Sequence, residues 1–148
     1  MTSLLLALLL FGSHGPEVHH HKVRPWLLTV SRDRFTGAVT CTAKAPGARL
    51  DGDRLTFDVG RHVEVAEAVY RLDGGPALKL SALMSDGDYR ESFHFDPDRD
   101  GQRVYFKASD LAGARRLYVR ADGKGEVASF DVAALAKLIE VEKASGCP

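Results

Sequence analysis

From Trp26 onward the chain is cut into short runs by turn signals recurring about every ten residues, and no run between them is long enough for a core helix until residue 131. Leu55, Phe57 and Val59 alternate with Thr56 and Asp58, and Ala68, Tyr70 and Leu72 alternate in the same way. Residues 26–30 and 37–43 are rich in β-branched and aromatic residues, the types that fit a pleated, half-buried surface. Leu78, Leu80, Ala82 and Met84 predict one face of a further strand, and Phe93 with Phe95, Val104 with Phe106 and Leu117 with Val119 continue the scheme. Asp73-Gly74-Gly75-Pro76, Ser85-Asp86-Gly87-Asp88 and Asp122-Gly123-Lys124-Gly125 supply turns. The pattern predicts a mainly β fold, an antiparallel sandwich or barrel.

One segment has the other period. After Asp131, a good N-cap residue, Val132, Leu135, Leu138, Ile139 and Glu142 fall at helical spacing, with Lys137, Glu140 and Lys143 off that stripe. Gly146 ends the run. One C-terminal α-helix packed on the sheets is therefore expected, within a single domain covering residues 26–148.

Residues 4–11 are an unbroken apolar run followed by Gly12, Ser13 and Gly15. The run is far shorter than the ~20 residues a helix needs to cross a bilayer. It suits the hydrophobic part of a secretory signal peptide, read here as residues 1–15; the other reading is an apolar first element of the domain. Residues 16–25, with His19-His20-His21, read as a polar tether. Export, periplasmic or beyond the cell, gives the two cysteines a meaning. In an oxidising compartment Cys41 and Cys147 form one disulfide; otherwise one is a small buried side chain and the other a tail thiol.

With Lys plus Arg and Asp plus Glu both at 20, the net charge is zero and nothing favours a nucleic-acid partner. Asp96, Asp98, Asp100 and Gly101 match the first half of an EF-hand calcium loop. Lys107 stands where the bidentate glutamate belongs, and the flanks read as strands rather than helices. An Asp-rich hairpin turn is the simpler reading, and a weak calcium site at Asp96, Asp98 and Asp100 is the alternative. Imidazoles at positions 19–21 suit transition metals, but no Cys lies at ligand spacing and the only nearby carboxylate is Glu17. No Gly-x-Ser-x-Gly, HExxH or phosphate-cradling glycine loop appears, so no catalytic residue is assigned.

The order of these features has a resemblance. A leader, a Trp opening the first strand (Trp26), a Cys in the second (Cys41), the Tyr70-Arg71-Leu72-Asp73-Gly74-Gly75 hairpin and a Phe130-Asp131-led helix ending in Cys147 resemble small exported β-sandwich proteins. These are the invasion-associated locus B family and similar accessory proteins of type VI secretion, and the likeness covers most of residues 26–147. It implies an exported, non-enzymatic sandwich. The expected activity is binding of a protein or cell-envelope component through end loops at 32–35, 73–76 or 85–90. In the first loop Phe35, beside Arg34, is either an apolar anchor for a partner or a core residue tucked inward. The alternatives are a small hydrolase assembled around His94, with Ser85 and neighbouring Asp residues, and a calcium-stabilised structural module.

Overall fold

A computed structural model of the chain describes residues 15–85 and 101–148. Among these residues ten strands and three helices follow in order: β1 Glu17–Val23, β2 Trp26–Arg32, β3 Val39–Ala45, β4 Ala48–Asp51, β5 Arg54–Asp58, β6 Val69–Leu72, β7 Leu78–Lys79, α1 Leu80–Met84, β8 Arg103–Lys107, α2 Ala108–Leu111, β9 Arg116–Arg120, β10 Val127–Asp131 and α3 Leu135–Ala144. The strands make two sheets, β1-β2-β3-β4-β5-β8 and β10-β9-β6-β7, with every neighbouring pair antiparallel.

The alternation in the sequence is the alternation in space. Trp26, Leu28 and Val30 of β2 point into the core while Leu27 between them is exposed. Leu55 and Phe57 of β5, and Leu117 and Val119 of β9, do the same from opposite sheets. The sheets meet through aromatic pairs. Phe57 lies 4.7 Å, centroid to centroid, from Phe130 of β10, and Phe106 of β8 lies 5.1 Å from Tyr70 of β6. Val132, just before α3, and Leu135 and Leu138 of its apolar stripe join the same core, which makes the fold a β-sandwich with a C-terminal helix. Phe57 is fully buried between the layers, and Phe57→Ala should cost about 3–5 kcal/mol through lost burial and the cavity left behind.

Two close approaches fix turns. Gly47, at φ 67°, follows Pro46 in the two-residue link from β3 to β4, and a Cβ there would touch the Phe130 ring at 3.4 Å. Gly123, at φ 74°, lies so near the chain that a Cβ would stand 2.6 Å from the carbonyl oxygen of Glu67. Beside it the Asp122 carboxylate accepts the amides of Lys124 and Gly125, at 3.0 and 2.6 Å, which hold it below the usual carboxylate range.

Three readings of the sequence need correction. Residues 16–25 are not a tether: β1 pairs with β2 along its whole length, from Glu17 opposite Arg32 to Val23 opposite Trp26. It shows no alternation of type because neither of its faces is buried, so only the backbone ladder records it as a strand. The strand expected at 78–84 shrinks to Leu78–Lys79 and then turns into α1. Leu80 and Leu83, three residues apart, share the inward side of that turn of helix, while Ala82 is exposed. Asp131 ends β10 instead of capping the long helix. Its carboxylate accepts the Ala133 amide at 3.0 Å in the turn that leads into α3.

Candidate functional site

The β2–β3 loop is stitched at almost every residue. Asp33 Oδ1 accepts the amides of Phe35 at 2.7 Å and Thr36 at 2.8 Å, and the Asp33 amide donates to the Ala38 carbonyl at 2.9 Å. The Gly37 amide returns to the Asp33 carbonyl at 2.8 Å, and Thr36 Oγ1 accepts the Ala38 amide. The amides of Thr36 and Phe35 hold the Asp33 carboxyl below its ordinary value. On this ordered backbone Phe35 is 98% exposed, and Arg34 beside it is exposed as well. Of the two readings of Phe35, the structure shows the apolar tip.

The other two loops differ from it. Asp73, at φ 50°, accepts the amides of Arg115 and Arg116 at 2.9 and 2.8 Å, so its carboxylate is spent on joining β6 to β9. In the 85–90 loop only Ser85 is among the described residues; its hydroxyl donates to the Ser81 carbonyl at 2.7 Å. Asp96, Asp98, Asp100 and His94 lie outside the described residues. Lys107, at the twelfth position of the calcium-like motif, closes β8, so positions eight to twelve of the motif are a strand, and the four-residue α2 follows.

The three consecutive histidines do not converge, because successive residues of a strand face opposite ways. His19 sits 2.9 Å from Glu17 Oε1, His20 3.2 Å from Thr29 Oγ1, and His21 3.4 Å from Ser145 Oγ at the end of α3. His62 is 3.7 Å from Glu64. Among the described residues no group of three or more His, Cys, Asp or Glu is placed to hold a metal.

Cys41 and Cys147 are joined in a disulfide, with Cα atoms 5.8 Å apart, tying β3 to the segment after α3. That segment is a Schellman turn. The Gly146 amide donates to the Lys143 carbonyl and the Cys147 amide to the Glu142 carbonyl, with Gly146 at φ 77°.

Beside the disulfide opens a cleft of about 310 Å³, which the sequence did not disclose as a site. Its walls include Asp53 of the β4–β5 turn, Ser109 of α2, and Ile139 and Glu142 of α3. Asp53 accepts both the amide and the hydroxyl of Ser109, at 3.1 and 3.3 Å, and its carbonyl accepts the Ala108 amide. Glu142 is only 8% exposed, and among the described residues its Oε1 has no hydrogen-bond partner. A buried polar group left unsatisfied costs about 1–3 kcal/mol, more when charged. Burial above all, and the charge of Asp51 next, push the Glu142 carboxyl up to about 7. For Asp51 partial burial acts upward too. Hydrogen bonds from Arg49 and Thr42 and the charges of Arg49 and Arg54 outweigh it, so Asp51 titrates below the ordinary range. The sequence did carry one sign of this group, since Glu142 is the charged member of an otherwise apolar stripe.

Ser109 with Asp53 is a hydroxyl–carboxylate pair, but among the described residues no histidine lines the cleft and both of its cysteines are oxidised. That arrangement can bind and can hold a proton; the described residues supply no nucleophile with its base there. No helix among the described residues is long and apolar enough to cross a membrane. Comparison of the chain with family models, with curated proteins and with solved structures finds no match.

Proposed function

We propose that this is an exported, non-enzymatic binding protein that docks onto a protein or cell-envelope component through the β2–β3 loop. The observation that carries the reading is Phe35, fully exposed on a loop whose backbone is pinned by Asp33. Aromatic residues and arginine are both enriched at protein interfaces. A loop already held in one conformation loses little freedom when a partner closes over it. Export is supported by the disulfide, which persists in oxidising compartments, and by the apolar run at 4–11. The resemblance to locus B-like and type VI accessory proteins points the same way. A hydrolase around His94 and a calcium-stabilised module have no comparable support.

The test is affinity capture from a native envelope extract with oxidised protein, run beside Phe35→Ser and Arg34→Ser variants of matched thermal midpoint. A component retained by the wild type and lost from the Phe35→Ser eluate is the expected result. Equal recovery with both proteins removes the loop from the reading. For export, mass spectrometry of protein from its native host should show a mature chain beginning shortly before Glu17, where β1 starts.

A further inference from the structure

β1 is an outer strand of its sheet, paired with β2 on one side only, and it is exposed along nearly all its length. In an antiparallel ladder alternate residues turn N–H and C=O to the same neighbour, so about half of the backbone groups of β1 face outward. Natural edges are commonly blunted by a bulge, a proline or a charge in mid-strand. β1 keeps unbroken register with β2 over its seven residues, and Glu17 and Lys22 stand near its two ends. His19 and His21 lie opposite Val30 and Leu28, which point into the core, so both imidazoles stand on the inner face, beyond the border of the core. His20 is on the outer face, against Thr29. Nε2 of His19 meets Glu17 and Nε2 of His21 meets Ser145, which leaves Nδ1 of each without a partner among the described residues.

A second copy of β1 completes this arrangement. A two-fold axis normal to the sheet keeps each side chain on its own face, so directly opposed residues differ by an even number and one residue faces itself. The register that uses the whole strand puts His20 opposite His20. It sets His19 of each copy opposite His21 of the other, Val18 opposite Lys22 and Glu17 opposite Val23, with no like fixed charges opposed. Directly opposed residues stand about 5 Å apart and same-face neighbours about 7 Å along the strand, so four imidazoles gather on one face within reach of one ion. We propose that β1 pairs antiparallel with β1 of a second copy, and that His19 and His21 of both copies ligate one transition-metal ion. Zinc fits best, since four nitrogen ligands suit its tetrahedron. The Glu17 carboxylate on His19 is the kind of outer contact that orients a ligating ring. One copy alone lacks the site, because among its described residues no three ligating groups converge. A seven-residue ladder flanked by polar side chains buries less than a stable interface needs, so the ion is what holds the pair. The site does not use the loop around Phe35, and either reading can fail without the other.

The probe is zinc chloride, titrated into oxidised protein, with mass followed by sedimentation equilibrium and binding by calorimetry. Mass should double as binding saturates at one zinc per two chains, and excess EDTA should return the monomer. His19→Ala and His21→Ala should each abolish the doubling, while His20→Ala, on the opposite face, should keep it. Glu17→Gln should weaken zinc binding about tenfold. These side chains are all exposed, so the variants should melt with the wild type. Amide exchange across Glu17–Val23 should slow on addition of zinc, which separates strand pairing from mere bridging of chains through histidines. Doubling without that protection, saturation at one zinc per chain with the mass unchanged, or no zinc binding would each overturn the proposal. So would equal doubling by calcium chloride, or a dimer in EDTA that both His19→Ala and His21→Ala retain.

Discussion

The amide of Cys147 donates to the carbonyl oxygen of Glu142 over 3.0 Å, so the residue bonded to Cys41 and the residue with the raised carboxyl close the same helix-ending turn. What happens to the bridge should be felt at the carboxyl. Opening the turn lets water reach Glu142, and reduction of the disulfide should move its titration from about 7 back toward the ordinary 4.5. Carboxyl carbon shifts followed against pH, before and after reduction, check this.

Stability should fall as pH rises through neutrality. Glu142 titrates at about 7 when folded and near 4.5 when unfolded, so between those values the native chain holds a proton that the unfolded chain has lost. The stability this gives is fully present below 4.5 and is gone above 7, and it amounts to about 3 kcal/mol. Asp33 and Asp122 act in the opposite sense. Their lowered values stabilise the fold above the ordinary 3.8 and fail as pH drops through it. Urea midpoints should therefore peak near pH 4–5. Glu142→Gln should flatten the upper limb and be the more stable protein at about pH 8; a less stable variant there contradicts the account.

The disulfide closes a loop of 106 residues in sequence. For loops of this size removal costs about 2–4 kcal/mol in practice. Denaturation with and without reductant measures the loss, and amide exchange should quicken across Leu135–Ala144 before it does in the strands. Thiol counting on the oxidised, unfolded protein should give none.

Gly123→Ala combines a left-handed backbone with a Cβ driven against the Glu67 carbonyl, and should destabilise by about 2–4 kcal/mol. Gly60, at φ 72° with open space around it, isolates the backbone part. Gly60→Ala should cost about 1–2 kcal/mol, and thermal melts of the two variants separate the contributions.

Phe35→Ser should leave stability within about 0.5 kcal/mol of the wild type, since the ring touches solvent on all sides. Asp33→Ala should leave the global midpoint in place as well. It should nonetheless strip exchange protection from the amides of Phe35 and Thr36 and weaken partner capture, which separates loop order from side-chain chemistry.

Calcium titration should show no binding below about a millimolar at Asp96, Asp98 and Asp100, because Lys107 stands where the strongest ligand belongs and closes a strand. Calorimetry giving micromolar affinity that disappears in Asp98→Ala would prove this wrong.

Strands whose two faces meet different surroundings were legible: Leu55 and Phe57 against Thr56 and Asp58 announce themselves by residue type. β1 was not, because an exposed ladder selects no side-chain pattern. α1 was misread because Leu78, Leu80, Ala82 and Met84 satisfy a period of two over too short a span to exclude the period of Leu80 and Leu83. β4 is only four residues long, caught between the Pro46-Gly47 and Gly52-Asp53 turns. The pairing of Cys41 with Cys147 was legible as the one disulfide that two cysteines can form, on the expectation of an oxidising compartment. Phe35 stood as one of two readings, since sequence does not say which way a lone aromatic in a loop points. The cleft is assembled from β3, the β4–β5 turn, α2 and α3, far apart in the chain, and only the glutamate in its apolar stripe hinted at it.

The bond between residues 41 and 147 also makes most of the molecule a covalent ring, with β1, β2 and their following loop as a handle outside it. A protease that cuts once anywhere between residues 42 and 146 releases no fragment from the oxidised protein; the mass merely grows by one water. A cut beside Arg34 is different. It severs the handle outright, leaving β1 and β2 held only by noncovalent contacts, the hydrogen bonds from β2 to β3 and the burial of Trp26, Leu28 and Val30 in the core. The loop that displays Phe35 thus lies where a single nick divides the protein, whereas the loops inside the ring can each be cut once without loss of a fragment.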